Sequence, residues 1–171
     1  MRKISLLTIF YKSLYSPKEI AKYRFLPIGK AIQHVFIIAL LFSLGSIIQN
    51  MTENGFLPGQ AGEVMKDPGA KGIFAALYLL ATFGINAALL FIAITLIAAV
   101  GEPAARFQER KLPYRQSWRV TAFSMTLPAL LFGLLDVFHI QSPYFMLLAF
   151  AGTITMILLS IRSIPKPRKR T

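Results

Sequence analysis

The sequence predicts an all-α integral membrane protein with four transmembrane helices and both termini on the cytoplasmic side. Hydrophobic residues make up 55% of the 171 positions and charged residues only 15%, whereas a soluble domain usually carries about a quarter charged residues. The apolar residues are collected in four long runs, each near the roughly 20 residues that a helix needs to cross a bilayer. Positive charge is dense in alternate connections between these runs and sparse in the others.

Residues 1–30 are predicted to form amphipathic helices at the cytoplasmic membrane surface. Apolar side chains recur at helical spacing, and polar side chains occupy the opposite face; the apolar set is Ile4, Leu7, Tyr11 and Leu14. The stretch Ser16-Pro17-Lys18-Glu19 has the pattern of a capping box and starts a second short helix. These helices either only brace the bundle against the headgroups or also dock a cytoplasmic partner.

The transmembrane domain is predicted over 31–161. Its four spans cover about 31–48, 73–100, 120–138 and 144–161. The second run has 28 positions, about 42 Å of helix, which overshoots the bilayer. It therefore tilts, lies partly along the outer surface, or bends near Gly84-Ile85-Asn86. Ser142-Pro143 supplies a capping residue and a first-turn proline for the fourth helix.

The orientation follows from the lysines and arginines. Seven lie before the first span, five between the second and third, and five in the tail 162–171. The connection 49–71 holds only two, and the last connection holds none. Cytoplasmic segments retain positive charge during insertion, so the crowded side is inside and 49–71 is the extracytoplasmic loop. Trp118 fits an aromatic anchor at the membrane interface. The Gly- and Pro-rich outer loop is too short to bury a hydrophobic core of its own.

Polar residues inside or beside the spans are the default functional candidates, because burying them in lipid is costly. The candidates are Asn86, Pro128, Asp136 and His139. Asp136 and His139, three residues apart, either share a proton or a cation, or are simply hydrated among the headgroups. Asn86 is expected to bond a neighbouring helix, and His34 to lie at the interface. Small residues that let helices approach closely are Ala39, Ser43, Gly84, Ala88, Ala129 and Gly133.

Basic residues on the cytoplasmic side are candidates for docking a partner or binding lipid headgroups. They are Lys12, Lys18, Lys22, Arg24, Arg110, Lys111, Arg115 and Arg119. Such clusters attract the anionic lipids of the inner leaflet. Nucleic acid is not an expected partner, because no aromatic platform accompanies the charge.

The sequence predicts no enzyme, no cofactor and no metal. It has no cysteine and only two histidines, which removes thiolate chemistry and histidine-rich metal sites. It also lacks a phosphate-cradling loop that ends in Lys-Ser or Lys-Thr.

Two stretches resemble a known family. The first is Phe10 to Ala31, with Tyr15-Ser16-Pro17-Lys18 as its most specific part; the second is Tyr114-Arg115-Gln116-Ser117-Trp118-Arg119, followed by Thr126-Leu127-Pro128. Both are similar to domain-of-unknown-function family 1189 of Gram-positive bacteria. The resemblance implies a multi-pass protein of the bacterial plasma membrane, and some relatives carry a maltodextrin-utilisation label. It also implies a larger outer domain than the short loop of this chain.

Three functions remain open. The leading hypothesis is a non-enzymatic accessory or scaffold subunit that binds another membrane or cytoplasmic protein through its inner face. The first alternative is a small transporter or channel component that acts as a homo-oligomer, with Asn86, Pro128 and Asp136 along a polar path. The second alternative is a lipid-interacting protein that shapes the membrane.

Overall fold

The computed structural model describes residues 5–54, 68–138 and 143–166, and all regular secondary structure in these ranges is α-helical. The helices are α1 (Leu6–Tyr15), α2 (Pro17–Tyr23), α3 (Ile28–Asn54), α4 (Pro68–Phe107), α5 (Tyr114–Ser124), α6 (Thr126–Val137) and α7 (Pro143–Arg162). The predicted all-α class is confirmed for the described part of the chain.

Three described helical segments are long and apolar enough to cross a membrane. They are Ile28–Ile48, Lys71–Phe107 and Tyr114–Leu135, and α7 adds a shorter apolar segment at Leu147–Arg162. An 18-residue stretch of the second segment has a mean hydropathy of 2.4, which reflects a long run of lipid-compatible side chains. The protein is therefore compatible with a membrane location.

Helix α4 is longer than the predicted second span. Its 40 residues correspond to about 60 Å at 1.5 Å per residue. The helix continues through Gly84-Ile85-Asn86 and ends at Phe107, with Pro103 inside it. Likewise α3 continues to Asn54, so part of the predicted outer loop is helical, while 55–67 lies outside the described residues.

The third hydrophobic segment consists of two helices in series, α5 and α6, separated at Met125. Pro128 has no backbone N–H and cannot donate to the carbonyl of Ser124. The backbone bonds on either side persist, since Met125 N donates to Thr121 O at 3.0 Å and Ala129 N donates to Met125 O at 2.9 Å. The proline thus interrupts the helix without separating its two halves.

Helices α1 and α2, here called the collar (residues 6–23), pack against the bundle. Their buried residues Ile9, Ile20 and Tyr23 belong to the same apolar core as Phe123 and Ile161. The rings of Tyr23 and Phe123 meet edge to face with centroids 5.2 Å apart. The collar is therefore joined to the bundle through its core.

The predicted capping box at the start of α2 is wrong. Ser16 is the N-cap, but its side chain makes no capping hydrogen bond. Its backbone N–H, which the box would pair with Glu19, already donates to Lys12 O at 3.0 Å. The Glu19 carboxylate instead accepts from Lys22 at 2.5 Å and from Lys12 at 3.4 Å.

The small residues divide between two environments. A Cβ at Gly133 would contact the Phe42 ring at 3.7 Å, so this glycine faces α3. A Cβ at Gly84 would meet nothing within 4 Å. Gly84 therefore lies on a face of α4 that no other described helix covers.

Helix α5 packs closely on α4 because Gly101 has no side chain. A Cβ there would overlap Ser117 Oγ and lie 3.3 Å from Ser117 Cβ. The Ser117 hydroxyl donates to the carbonyl of Ala98 at 2.7 Å. One turn earlier on α4, Thr95 Oγ1 accepts a hydrogen bond from Trp118 Nε1 of α5 at 3.3 Å. The predicted interfacial anchor thus packs against a neighbouring helix.

Candidate functional site

A cavity of about 380 Å³ lies among α3, α4, α6 and α7. Its volume falls in the range of small-molecule sites, roughly 300–1,000 Å³. Most of its lining is apolar, and its polar side chains are Asn86, Ser46 and Thr153. Pro128 also lines it, so the fold brings together two of the predicted candidates, Asn86 and Pro128.

Asn86 bonds a neighbouring helix, as its depth in the second span predicts. Its Nδ2 donates to Ser43 Oγ at 3.3 Å, and that hydroxyl donates to Ala39 O at 2.8 Å. No other described protein group bonds the Asn86 amide. Its carbonyl oxygen is therefore an acceptor without a protein donor in the described part of the chain, at the wall of a largely apolar cavity.

Two of the residues that line the cavity are exposed on the surface of the bundle. Leu89 of α4 and Phe150 of α7 both line it, and they are 58% and 50% exposed. This surface is rich in large exposed apolar side chains. The cavity therefore borders the apolar outer surface of the bundle.

The expectation that His34 lies at the interface is wrong. The residue is 0% exposed, and its Nε2 lies 2.7 Å from Thr126 Oγ1. The Thr126 hydroxyl donates to Phe123 O at 2.7 Å, so its oxygen accepts and His34 Nε2 carries the proton. The same-face neighbours Ala31 and Ile38 are also buried. This three- and four-residue spacing is the sequence signal that identifies His34 as a core residue.

The predicted pairing of Asp136 with His139 lies outside the described residues. Asp136 belongs to helix α6, but its side chain and the whole of His139 lie outside the described residues. Their proposed pairing stays a prediction. Among the described residues, no three His, Cys, Asp or Glu side chains are grouped to hold a metal ion.

Lys12 and Lys22 share the carboxylate of Glu19. The hydrogen bond from Lys22 and the positive charge of both lysines hold the pKa of Glu19 below its ordinary value. This ion triad joins α1 to α2, because Lys12 belongs to the first helix and the other two residues to the second. Two of the predicted docking cations are therefore used, at least in part, to fix the collar.

Arg24, the residue that directly follows the collar, is bonded to Arg119 of α5. Arg119 Nη1 donates to the Arg24 carbonyl at 2.9 Å, and the Arg24 guanidinium lies over the Phe25 ring, 4.4 Å from its centroid. Burial lowers the pKa of Arg24. The Nε atoms of both arginines, and of Arg110, are buried without a hydrogen-bond partner among the described residues. Lys18, Lys111 and Arg115 are exposed.

The family model described as "Protein of unknown function (DUF1189)" matches residues 7–57 and 63–161. The chain belongs to the DUF1189 family. The match includes the collar, the cavity helices and α5, so the resemblance seen in two sequence stretches is confirmed over most of the chain. No curated protein and no solved structure matches this DUF1189 chain. The family is one of unknown function and assigns no activity to either the cavity or the collar.

Proposed function

We propose that this protein is a non-enzymatic, multi-pass component of the bacterial plasma membrane that crosses the bilayer four times with both termini inside. Helix α7 supports the fourth crossing, because its 20 residues give about 30 Å, the thickness of the hydrocarbon core. Seventeen of the 19 lysines and arginines lie on the same side in this arrangement, as the positive-inside rule requires. The collar then lies at the inner leaflet, where anionic lipids surround it.

Within the membrane, the protein serves as an accessory or scaffold subunit that binds a membrane or cytoplasmic protein through its inner face. The observation that carries this proposal is that one face of the collar is buried in the bundle core while its other face is exposed. Ile9, Ile20 and Tyr23 are buried in the bundle core, while Leu7, Tyr11 and Tyr15 form an exposed stripe at four-residue spacing along α1. Such a preordered surface loses little conformational entropy when a partner binds.

Site-specific photocrosslinking in intact cells tests the scaffold role. A photoreactive residue is placed at Tyr15 or Lys18 on the collar, and at Leu96 as the matched control. Tyr15 and Leu96 are similarly exposed, at 60% and 67%, but Leu96 lies in the long apolar helix α4. The proposal predicts one discrete heteromeric product from the collar positions and none from Leu96. Products that contain only lipid or this chain, from every position, would contradict it.

A second candidate is a small transporter or channel component that acts as a homo-oligomer. The cavity favours it, because Asn86 and Pro128 line a volume in the range of small-molecule sites. The uncovered face of α4 around Gly84 provides a surface on which copies could associate. Replacing Asn86 with leucine should then abolish flux in cells that overproduce the protein. Unchanged flux in that variant would remove this candidate.

A further inference from the structure

We infer that Arg24 and Arg119 form a binding site for a phosphate group, of the kind that a phospholipid carries at the inner membrane surface. The inference rests on the proposed function for one point only, the placement of the collar at the inner leaflet. The site goes beyond a general basic surface, because it uses two particular guanidinium groups and excludes the exposed cations nearby.

The two arginines are held at one place in the fold. Arg119 reaches from α5 to the carbonyl oxygen of Arg24 at 2.9 Å. The side chain of Arg24 is itself held against Phe25, at 4.4 Å from the ring centroid. Both guanidinium groups are therefore positioned around residue 24 before any ligand arrives, and preordered cations bind an anion at a lower entropic cost.

Each of these arginines has an unused hydrogen-bond donor. Their Nε atoms are buried and bond no acceptor among the described residues. A guanidinium presents its N–H groups in a planar fork that matches two oxygens of a phosphate. Because these Nε atoms are buried, a phosphate would reach the terminal Nη groups, and among the described residues the one acceptor that bonds them is Arg24 O, on Arg119 Nη1.

The chain supplies no described carboxylate to neutralise this pair. Glu19 is bonded to Lys12 and Lys22, Glu102 to Arg106, and Glu109 to Lys166. Arg24 and Arg119 are half-buried, and in the described structure neither has an ion-pair partner. Partly desolvated charges without a counter-ion are costly, so an external anion would stabilise this corner of the fold.

The surroundings favour a phosphate that carries acyl chains. Phe25 is 66% exposed directly beside the Arg24 guanidinium, and Ile28 at the start of α3 is 49% exposed. A phospholipid could place its phosphate on the arginines and its first chain segments on these two side chains. A free phosphate ion would use only the arginines.

The test measures binding of phosphatidylglycerol to the full-length protein in mild detergent by native mass spectrometry over a lipid titration. Arg24→Gln is the main variant, because the backbone carbonyl that accepts from Arg119 remains. Arg115→Gln is the matched control, since it removes the same charge from an exposed position on α5. Loss of a charge-assisted pair predicts at least about a tenfold weaker affinity in Arg24→Gln and little change in Arg115→Gln. Equal affinities in the two variants would overturn the inference.

Three further arms complete the experiment. Arg24→Lys keeps the charge but not the planar fork, so its affinity for the lipid should lie between those of the wild type and Arg24→Gln. If Arg24→Gln does not fold, Arg24→Lys is the main variant. Phosphatidylcholine and inorganic phosphate identify the source of the group. Tighter binding of a phospholipid than of inorganic phosphate assigns a lipid, the reverse order assigns a soluble phosphate, and binding of neither overturns the inference. A topology map decides the proposed orientation independently of these outcomes.

Discussion

Replacing Gly101 with alanine tests whether the close contact between α4 and α5 holds the bundle together. The added Cβ would overlap Ser117 Oγ and lie 3.3 Å from Ser117 Cβ. Ser117 is 1% exposed, so its hydroxyl has no open space to enter. The hydroxyl must rotate and give up its hydrogen bond to Ala98 O at 2.7 Å, and the contact between the two Cβ atoms at 3.3 Å still pushes the helices apart.

The expected cost follows from three contributions. Overpacking a well-packed core costs about 1–3 kcal/mol, and the lost hydrogen bond adds about 0.5–1.5 kcal/mol. Alanine is a better helix former than glycine by about 1 kcal/mol, which offsets part of this cost. The free energy of unfolding should therefore fall by roughly 0.5–3.5 kcal/mol.

Unfolding in mild detergent, followed by the fluorescence of Trp118, measures this change. Trp118 is the single tryptophan and stacks on Phe91 with ring centroids 6.1 Å apart, so its emission reports on the α4–α5 contact. Gly84→Ala is the matched control on the same helix, where the new Cβ would touch nothing and the helix should be unchanged or stabilised by up to about 1 kcal/mol. The reasoning is refuted if both variants have the same stability.

Three further predictions concern hydrogen bonds and charge. Thr126→Val should lower the free energy of unfolding by about 1–3 kcal/mol, because it leaves His34 Nε2 buried without a partner. His34→Leu should cost only about 0.5–1.5 kcal/mol, since the Thr126 hydroxyl still donates to Phe123 O. The pKa of Glu19 is held below its ordinary value of 4.5, so its ion pairs with Lys12 and Lys22 stabilise the folded protein fully above that pH. This stabilisation is lost as the pH falls through the lower pKa of the folded state. Acid unfolding should show the loss. Asn86→Leu should cost about 0.6 kcal/mol through the lost bond to Ser43, measured by chemical unfolding.

Each of these predictions has its own check. The His34→Leu, Thr126→Val double variant should lose less than the two single changes together, since one bond cannot be broken twice; strict additivity would show that the contact is absent. Glu19→Gln should remove the acid-dependent step, and an unchanged step would assign it to another group. Ser43→Ala in the Asn86→Leu background should cost nothing more through this bond.

The hydrophobic pattern predicts the helical class and the long apolar segments, because lipid selects side chains over whole helices. Local pattern does not predict the ends of α4. Glu102 and Arg106 would be costly inside the membrane, but they can lie beyond it, four residues apart and paired at 2.7 Å. The helix therefore continues through charged residues at which hydropathy alone ends the span.

The contacts between helices are the part that the sequence could not supply. His34 looks interfacial beside Lys30 in the sequence, yet the collar and α5 cover it with the rings of Phe10 and Phe123. The role of Gly101 depends on the approach of Ser117, sixteen residues away in the sequence. Asn86 and Pro128 were recognisable as unusual residues in apolar runs, but their common cavity depends on how α4 and α6 are arranged with two other helices, α3 and α7.

The central claim is that this chain crosses the membrane four times with both ends inside, and cysteine accessibility tests it most directly. Because the natural sequence has no cysteine, single cysteines at positions Gly59, Lys111 and Lys166 can be labelled with a membrane-impermeant maleimide in intact and permeabilised cells. Labelling of the first position in intact cells, with the other two reactive only after permeabilisation, is the predicted result. Labelling of Lys166→Cys but not Lys111→Cys in intact cells would place them on opposite sides and contradict the fourth crossing.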